Sequence, residues 1–99
     1  MNTENNNLFY LLNCLDVNKK HLQFLEIYIN NDETSPININ DFTLLIKKIS
    51  SCKNLNIFIF ECELYSNYAY IFNTNFNIGP NLTNLSLLHT TDLDIMKII

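Results

Sequence analysis

This sequence of 99 residues has no arginine, a single glycine and no long apolar run. All six basic residues are lysine and they form no basic stripe, so the usual signature of nucleic-acid binding is missing. The single glycine excludes a glycine-rich phosphate-binding loop. No apolar stretch approaches the roughly 18 residues needed to span a bilayer. These absences predict a protein that binds neither nucleic acid nor membrane.

The N-terminal sequence and the three cysteines bear on the compartment. Residues 1–7 lack the positive charge of a secretory signal, and Asn13 interrupts the apolar segment that follows. An odd number of cysteines without such a signal argues against a disulfide framework. We therefore predict a cytoplasmic protein with one domain, residues 1–99, whose Asn-rich composition indicates an AT-rich genome.

Cysteine, histidine and acidic residues, which can act in catalysis or bind metals, occur in this sequence, but not at the spacings typical of such sites. Cys14 and Cys52 fall at apolar positions, and no two cysteines have C-x-x-C spacing. Cys62 lies between Glu61 and Glu63, whose negative charges would raise the pKa of its thiol. The two histidines lie far apart, and a metal site would need them joined by cysteines or carboxylates. We predict no catalytic residue, no metal and no cofactor.

The chain lines up with itself in steps of thirty residues. Residues 22–27, 52–57 and 82–87 each read apolar-x-x-Leu-x-apolar, with Leu25, Leu55 and Leu85 in the central column. Short runs rich in β-branched and aromatic residues favour strands at Leu25–Ile29, Leu55–Phe60 and Leu85–Leu88. A unit repeated at a fixed period is strong information about architecture.

The segments between these rows carry a helical pattern with the same spacing. Apolar residues recur at i, i+3, i+4 and i+7 in segments 8–15 and 42–49, and nearly so in 68–76. Further apolar residues from Ile95 predict the start of a fourth helix. Three asparagines stand where they could cap these helices: Asn7, Asn40 and Asn67. The sequence therefore predicts an α/β protein in which helices and strands alternate.

The rows resemble the strand signature of leucine-rich repeats, L-x-x-L-x-L-x-x-N/C-x-L. Residues 22–30 fit it through Asn30, which stands at the family's backbone-bonding asparagine. In the other two rows Phe60 and Thr90 occupy that position. The resemblance implies a curved solenoid, with short parallel strands on the concave face and helices on the convex face. It also implies a non-enzymatic protein–protein interaction module.

In such strands the residues flanking the central Leu face outward and would contact a protein partner. We predict three outward columns: Glu26, Asn56 and Ser86; Tyr28, Phe58 and Leu88; and Ile29, Ile59 and His89. The first two columns are the predicted protein-binding surface. The second column would be an exposed apolar stripe, which often marks a binding surface. The alternative is that the strands are shifted or covered, which would place these residues in the core.

A second hypothesis treats the thirty-residue spacing as accidental. The chain would then be a compact α/β domain with a small regulatory or enzymatic role, and Cys62 or His89 would lie in a pocket. Strand order distinguishes the two hypotheses, because a solenoid has sequential strands and a closed domain would pair the first strand with the third.

Overall fold

Parallel strands alternate with helices in the computed structural model, which describes residues 2–3, 8–65, 67–77 and 79–90. The strands are β1 (Asn2–Thr3), β2 (Phe24–Ile29), β3 (Ile57–Leu64) and β4 (Asn84–Thr90). The helices are α1 (Leu8–Asn18), α2 (Ile39–Ser50) and α3 (Asn67–Asn75). All strand pairs are parallel, in the order β1-β2-β3-β4. The α/β class is confirmed, and the sheet is open.

The three helices within the described residues lie where the apolar pattern predicts them. Leu12, Phe42 and Phe72 keep their thirty-residue spacing, and all three are buried. Each helix contributes its apolar side chains to the same core, because i, i+3, i+4 and i+7 fall on one helix face. The helix expected from Ile95 lies outside the described residues.

Helix α2 is capped two residues earlier than the sequence pattern predicts. The Asn38 side chain accepts hydrogen bonds from the backbone N–H groups of Asn40 (2.9 Å) and Asp41 (3.2 Å). The prediction of Asn40 as the cap is therefore wrong. Asn67 is the first residue of α3, and Asn7 lies outside the described residues.

One core fills the space between the helices and one face of the sheet. Alternate residues of β2 and β3 point into it and are almost fully buried: Leu25, Ile27, Ile29, Phe58, Phe60, Cys62 and Leu64. Phe58 stacks on both Phe60 and Phe76 with ring centroids 5.6 Å apart, and Phe72 stacks on Phe60 at 5.7 Å. Burying one such side chain contributes about 1.5–3 kcal/mol. The helices therefore occupy one side of the sheet.

The strands do not keep the thirty-residue spacing. Leu25 pairs with Phe58, 33 residues along, and Phe58 pairs with Leu85, a further 27 residues along. The row predicted for β3 is therefore three residues out of register. Leu55, the first residue of the predicted strand, is buried just before β3 begins. Because successive strand residues face opposite sides, an odd shift reverses which residues are exposed.

A buried asparagine bonds the backbone at the end of β2, and it is Asn31, the neighbour of the Asn30 that the sequence pattern singles out. Asn31 is 1% exposed, whereas Asn30 is exposed. The Asn31 amide donates to the carbonyl of Glu63 at 2.9 Å, and its oxygen accepts from the N–H of Ile37 at 3.0 Å. Asn31 thereby satisfies two backbone groups where β2 leads into its crossover and ties that loop to β3.

Successive crossovers are joined by equivalent hydrogen bonds at the amino-terminal edge of the sheet. The carbonyl of Gln23 accepts from the N–H groups of Asn56 and Ile57, and the carbonyl of Asn56 accepts from those of Thr83 and Asn84. The asparagine side chains repeat the same arrangement. Asn54 donates to the carbonyl of Lys20 at 2.6 Å, and Asn81 donates to the carbonyl of Lys53 at 3.3 Å. Each crossover is therefore hydrogen-bonded to the preceding one.

Candidate functional site

One face of the sheet carries no helix within the described ranges. Side chains of β2 and β3 alternate between the core and this second face, which we call the open face. Its members are Phe24, Glu26 and Tyr28 of β2, Ile57, Ile59 and Glu61 of β3, and Asn84 and Ser86 of β4. Phe24 is 52% exposed, and the others are half-buried or exposed. The open face is thus accessible to a partner.

The strand register arranges the open face in rows. These rows are Phe24–Ile57–Asn84, Glu26–Ile59–Ser86 and Tyr28–Glu61. Side chains in one row lie about 5 Å apart, and successive rows are about 7 Å apart along the strand. Phe24, Ile57 and Ile59 therefore form a contiguous apolar patch. An exposed aromatic residue beside two isoleucines is typical of a protein-binding surface.

Carboxylates border this apolar patch. The Tyr28 hydroxyl donates a hydrogen bond to the Glu26 carboxylate within the same strand. That hydrogen bond is the main cause of a raised Tyr28 pKa, with further contributions from burial and the charges of Glu26 and Glu61. The phenol therefore stays protonated and fixes the orientation of Glu26. The open face combines apolar contact area with negative charge.

The structure brings together part of the predicted binding surface. Glu26, Tyr28 and Ser86 lie on the open face. Leu88 pairs with Glu61 through its backbone, and its side chain is outside the described part of the structure. Whether any of them binds a protein stays a prediction.

Two predicted residues do not belong to the open face. Phe58 is 0% exposed and packs in the aromatic core, so the expected exposed column of Tyr28, Phe58 and Leu88 is wrong. The three-residue shift of β3 is the reason. Asn56 precedes β3, and its backbone links the neighbouring crossovers.

The sequence pattern missed Phe24, Ile57 and Glu61 as members of the open face. It placed Ile59 correctly on the outward side, but Ile29 of the same predicted column is 6% exposed and belongs to the core. The continuous apolar run from Ile57 to Phe60 hides which of its residues point inward. A usable signal follows directly, because Glu61 and Glu63 alternate with Cys62 and Leu64. Charged residues at odd positions indicate that the odd positions of this strand face solvent.

Cys52 and Cys62 lie in the core, whereas Cys14 is half-buried. Cys62 is 1% exposed, and burial, followed by the charge of Glu63, raises the pKa of its thiol to about 12. Burial likewise raises the pKa of Cys52, whose position in the core is confirmed. A thiol held in its protonated form is a poor nucleophile. Among the described residues, no three His, Cys, Asp or Glu side chains are grouped as metal ligands.

The search for membrane-spanning segments and the comparisons with known proteins gave negative results. No helix of the described ranges is both long and apolar enough to cross a membrane. No protein-family model matches the chain. No curated protein and no solved structure is significantly similar to it.

Proposed function

We propose that this chain is a non-enzymatic protein-interaction module of leucine-rich-repeat type, which binds its partner through the open face. The observation that carries the proposal is the uncovered sheet face, where the apolar patch of Phe24, Ile57 and Ile59 adjoins the carboxylates of Glu26 and Glu61. A sheet face that stays accessible and carries an aromatic residue offers a partner a preformed surface.

The repeat character of the proposal has separate support in the connections between units. Strand order is sequential, as a solenoid requires, and the first and third strands are not neighbours. The paired hydrogen bonds from Asn54 to Lys20 and from Asn81 to Lys53 join successive crossovers in the same way. We therefore propose stacked strand–helix units of 27 to 33 residues.

Site-specific photocrosslinking tests the binding surface. Phe24 is replaced by a photoreactive phenylalanine analogue, and the protein is irradiated in an extract of cells that express it naturally. The matched control carries the same analogue at Tyr70, which is 69% exposed on α3 and lies in the helical layer. We expect a discrete adduct from position 24 and none from position 70.

A second substitution links the adduct to the open face. Ile59→Asp places a charge at the centre of the open face without entering the core. We expect the adduct from position 24 to disappear, while the circular dichroism spectrum remains that of the wild type. An adduct that forms equally well from position 70, or that survives Ile59→Asp in a folded protein, would contradict the proposal.

A further inference from the structure

A cleft of about 380 Å³ lies where β2 and β3 lead into their crossovers. The residues that line it are Glu33, Pro36, Ile39, Tyr65, Asn67 and Tyr68. The cleft therefore lies beyond the carboxyl ends of β2 and β3. The cleft lies next to the end of β3, and Glu61 and Glu63 of that strand lie on its open-face side.

The aromatic wall of the cleft is held in a fixed orientation. The Tyr65 hydroxyl donates to the carbonyl of Asp32 at 3.0 Å, and the Tyr68 hydroxyl donates to the carbonyl of Ile37. The two rings meet edge to face with centroids 5.2 Å apart. Because both hydroxyls are engaged with the β2–α2 loop, the cleft presents ring surface. An aromatic face attracts cations through its quadrupole.

Negative charge surrounds this wall. Glu33 lines the cleft and is exposed. Burial is the first cause of the raised pKa of Tyr65, followed by Tyr68 and then by the charges of Glu33, Asp32 and Glu63, so all three carboxylates act on this ring. Hydrogen bonds from Thr34 and Ser35 lower the pKa of Asp32, which keeps that carboxylate ionised.

The same surroundings argue against an anionic ligand. Among the residues that the structure describes, no lysine lines the cleft. Helix α2 begins at its margin, but the side chain of Asn38 occupies the N–H groups of Asn40 and Asp41. Asp41 also places a negative charge in the first turn, which offsets the positive end of the helix dipole. An organic cation is the ligand that meets both the ring and the carboxylate.

We propose that this cleft binds the ammonium or guanidinium group of a lysine or arginine side chain, held between the ring of Tyr65 and the carboxylate of Glu33. The source of that side chain, the partner bound on the open face, rests on the proposed function. Pro36 and Ile39 supply apolar surface for the methylene stem of such a side chain.

Small probes test the cleft without the partner. We propose titrating ¹⁵N-labelled protein with acetyl-arginine amide and acetyl-lysine amide, and following backbone amide shifts by NMR. Acetyl-citrulline amide, which has nearly the shape of the arginine probe without its charge, is the matched control. We expect saturable shifts at Glu33, Tyr65 and Asn67 with both cations and none with citrulline. Equal shifts with citrulline, or cation shifts spread over all acidic residues, would overturn the proposal.

Variants separate the ring from the charge. Tyr65→Leu removes the aromatic face and Glu33→Gln removes the carboxylate, and we expect each to weaken arginine binding about two- to fivefold. Tyr65→Phe keeps the ring and should bind within about twofold of the wild type. The distant carboxylate variant Asp16→Asn controls for overall charge. Glu33→Gln is an exposed change, so it keeps the test valid if Tyr65→Leu does not fold. Wild-type affinity in folded Glu33→Gln and Tyr65→Leu would refute the site.

The two proposals fail separately. Saturable cation binding at the cleft, combined with crosslinking that survives Ile59→Asp, would refute the open-face function and leave the cleft standing. An adduct that depends on the open face, without cation-induced shifts at the cleft, would refute the cleft alone.

Discussion

Truncating Phe58 and Ile59 in turn tests the register of β3 directly, because these neighbours face opposite sides of the sheet. Phe58 is 0% exposed and stacks on Phe60 and Phe76, with centroid distances of 5.6 Å in both cases. Phe58→Ala removes a whole ring from a packed core and leaves a cavity, which costs about 3–5 kcal/mol. Ile59 lies half-buried on the open face, where truncation costs about 1 kcal/mol.

The difference is large relative to the total stability. A domain of this size unfolds with a free energy of about 5–15 kcal/mol, so Phe58→Ala removes a substantial part of it. The melting temperature should fall by about 12 °C or more for Phe58→Ala and by about 4–8 °C for Ile59→Ala. Because the chain has no tryptophan, urea unfolding is best followed by far-ultraviolet circular dichroism.

The thirty-residue frame predicts a different result. The columns predicted from that frame place both Phe58 and Ile59 on the outward side, so truncating either residue would cost little. Equal losses for the two variants, or a larger loss for Ile59→Ala, would refute the observed register and the open face built on it. A stable Phe58→Ala protein would restore the column of Tyr28, Phe58 and Leu88 as a binding surface.

Three further predictions follow from buried or paired groups. Asn31→Ala should lower the free energy of unfolding by about 3 kcal/mol, because it strands the N–H of Ile37 and the carbonyl of Glu63, whereas Asn30→Ala should change it by at most about 0.5 kcal/mol in the same urea assay. Folding raises the Cys62 pKa from 9.0 to about 12, so the stability that the protonated thiol contributes is complete below pH 9 and is lost as pH rises towards 12. Between pH 9 and pH 12 the free energy of unfolding should therefore fall more steeply with pH in the wild type than in Cys62→Val. Equal pH slopes for the two proteins would contradict the raised Cys62 pKa. Asp16→Asn breaks the 2.6 Å ion pair between Asp16, which is 50% exposed, and Lys48, which is 21% exposed. It should lower the free energy of unfolding by at most about 1 kcal/mol. A loss above about 2 kcal/mol would show that solvent does not screen the charge interaction between α1 and α2.

The helices were predictable because α1 and α2 each have a complete apolar face, and the face of α3 lacks only its i+7 position, which is Asn75. Because one side of each helix is buried and the other faces solvent, apolar residues recur with a period of 3.6, whether they are Leu, Ile, Phe or Tyr. Strand β1 was not predictable, since two residues, Asn2 and Thr3, carry no periodicity. The cap of α2 was misplaced because Asn38 and Asn40 are both suitable caps, and only the backbone geometry selects Asn38.

Part of the candidate site was also within reach of the sequence. Glu26 and Tyr28 belong to a strand with clean alternation, so their outward direction follows from the buried positions of Leu25, Ile27 and Ile29. The cleft was out of reach, because it joins Glu33 to Tyr65 across two crossovers. Residues that meet only through tertiary packing leave no local pattern.

The register of β3 explains why a repeat with the correct average spacing led to a wrongly predicted exposed column. The motif apolar-x-x-apolar-x-apolar fits both Cys52–Ile57 and Leu55–Phe60, since the run from Ile57 to Phe60 is apolar throughout. The first frame gives equal steps of thirty, and the pairings of Phe58 give steps of 33 and 27 with the same average. Packing selects the second frame, because it buries the two Phe rings and leaves Glu61 and Glu63 facing away from the core. The first frame would bury both carboxylates, at a cost far above the gain from equal spacing. The charges of Glu61 and Glu63 in the second half of β3, more than the repeat period, therefore decide which face of this strand is exposed.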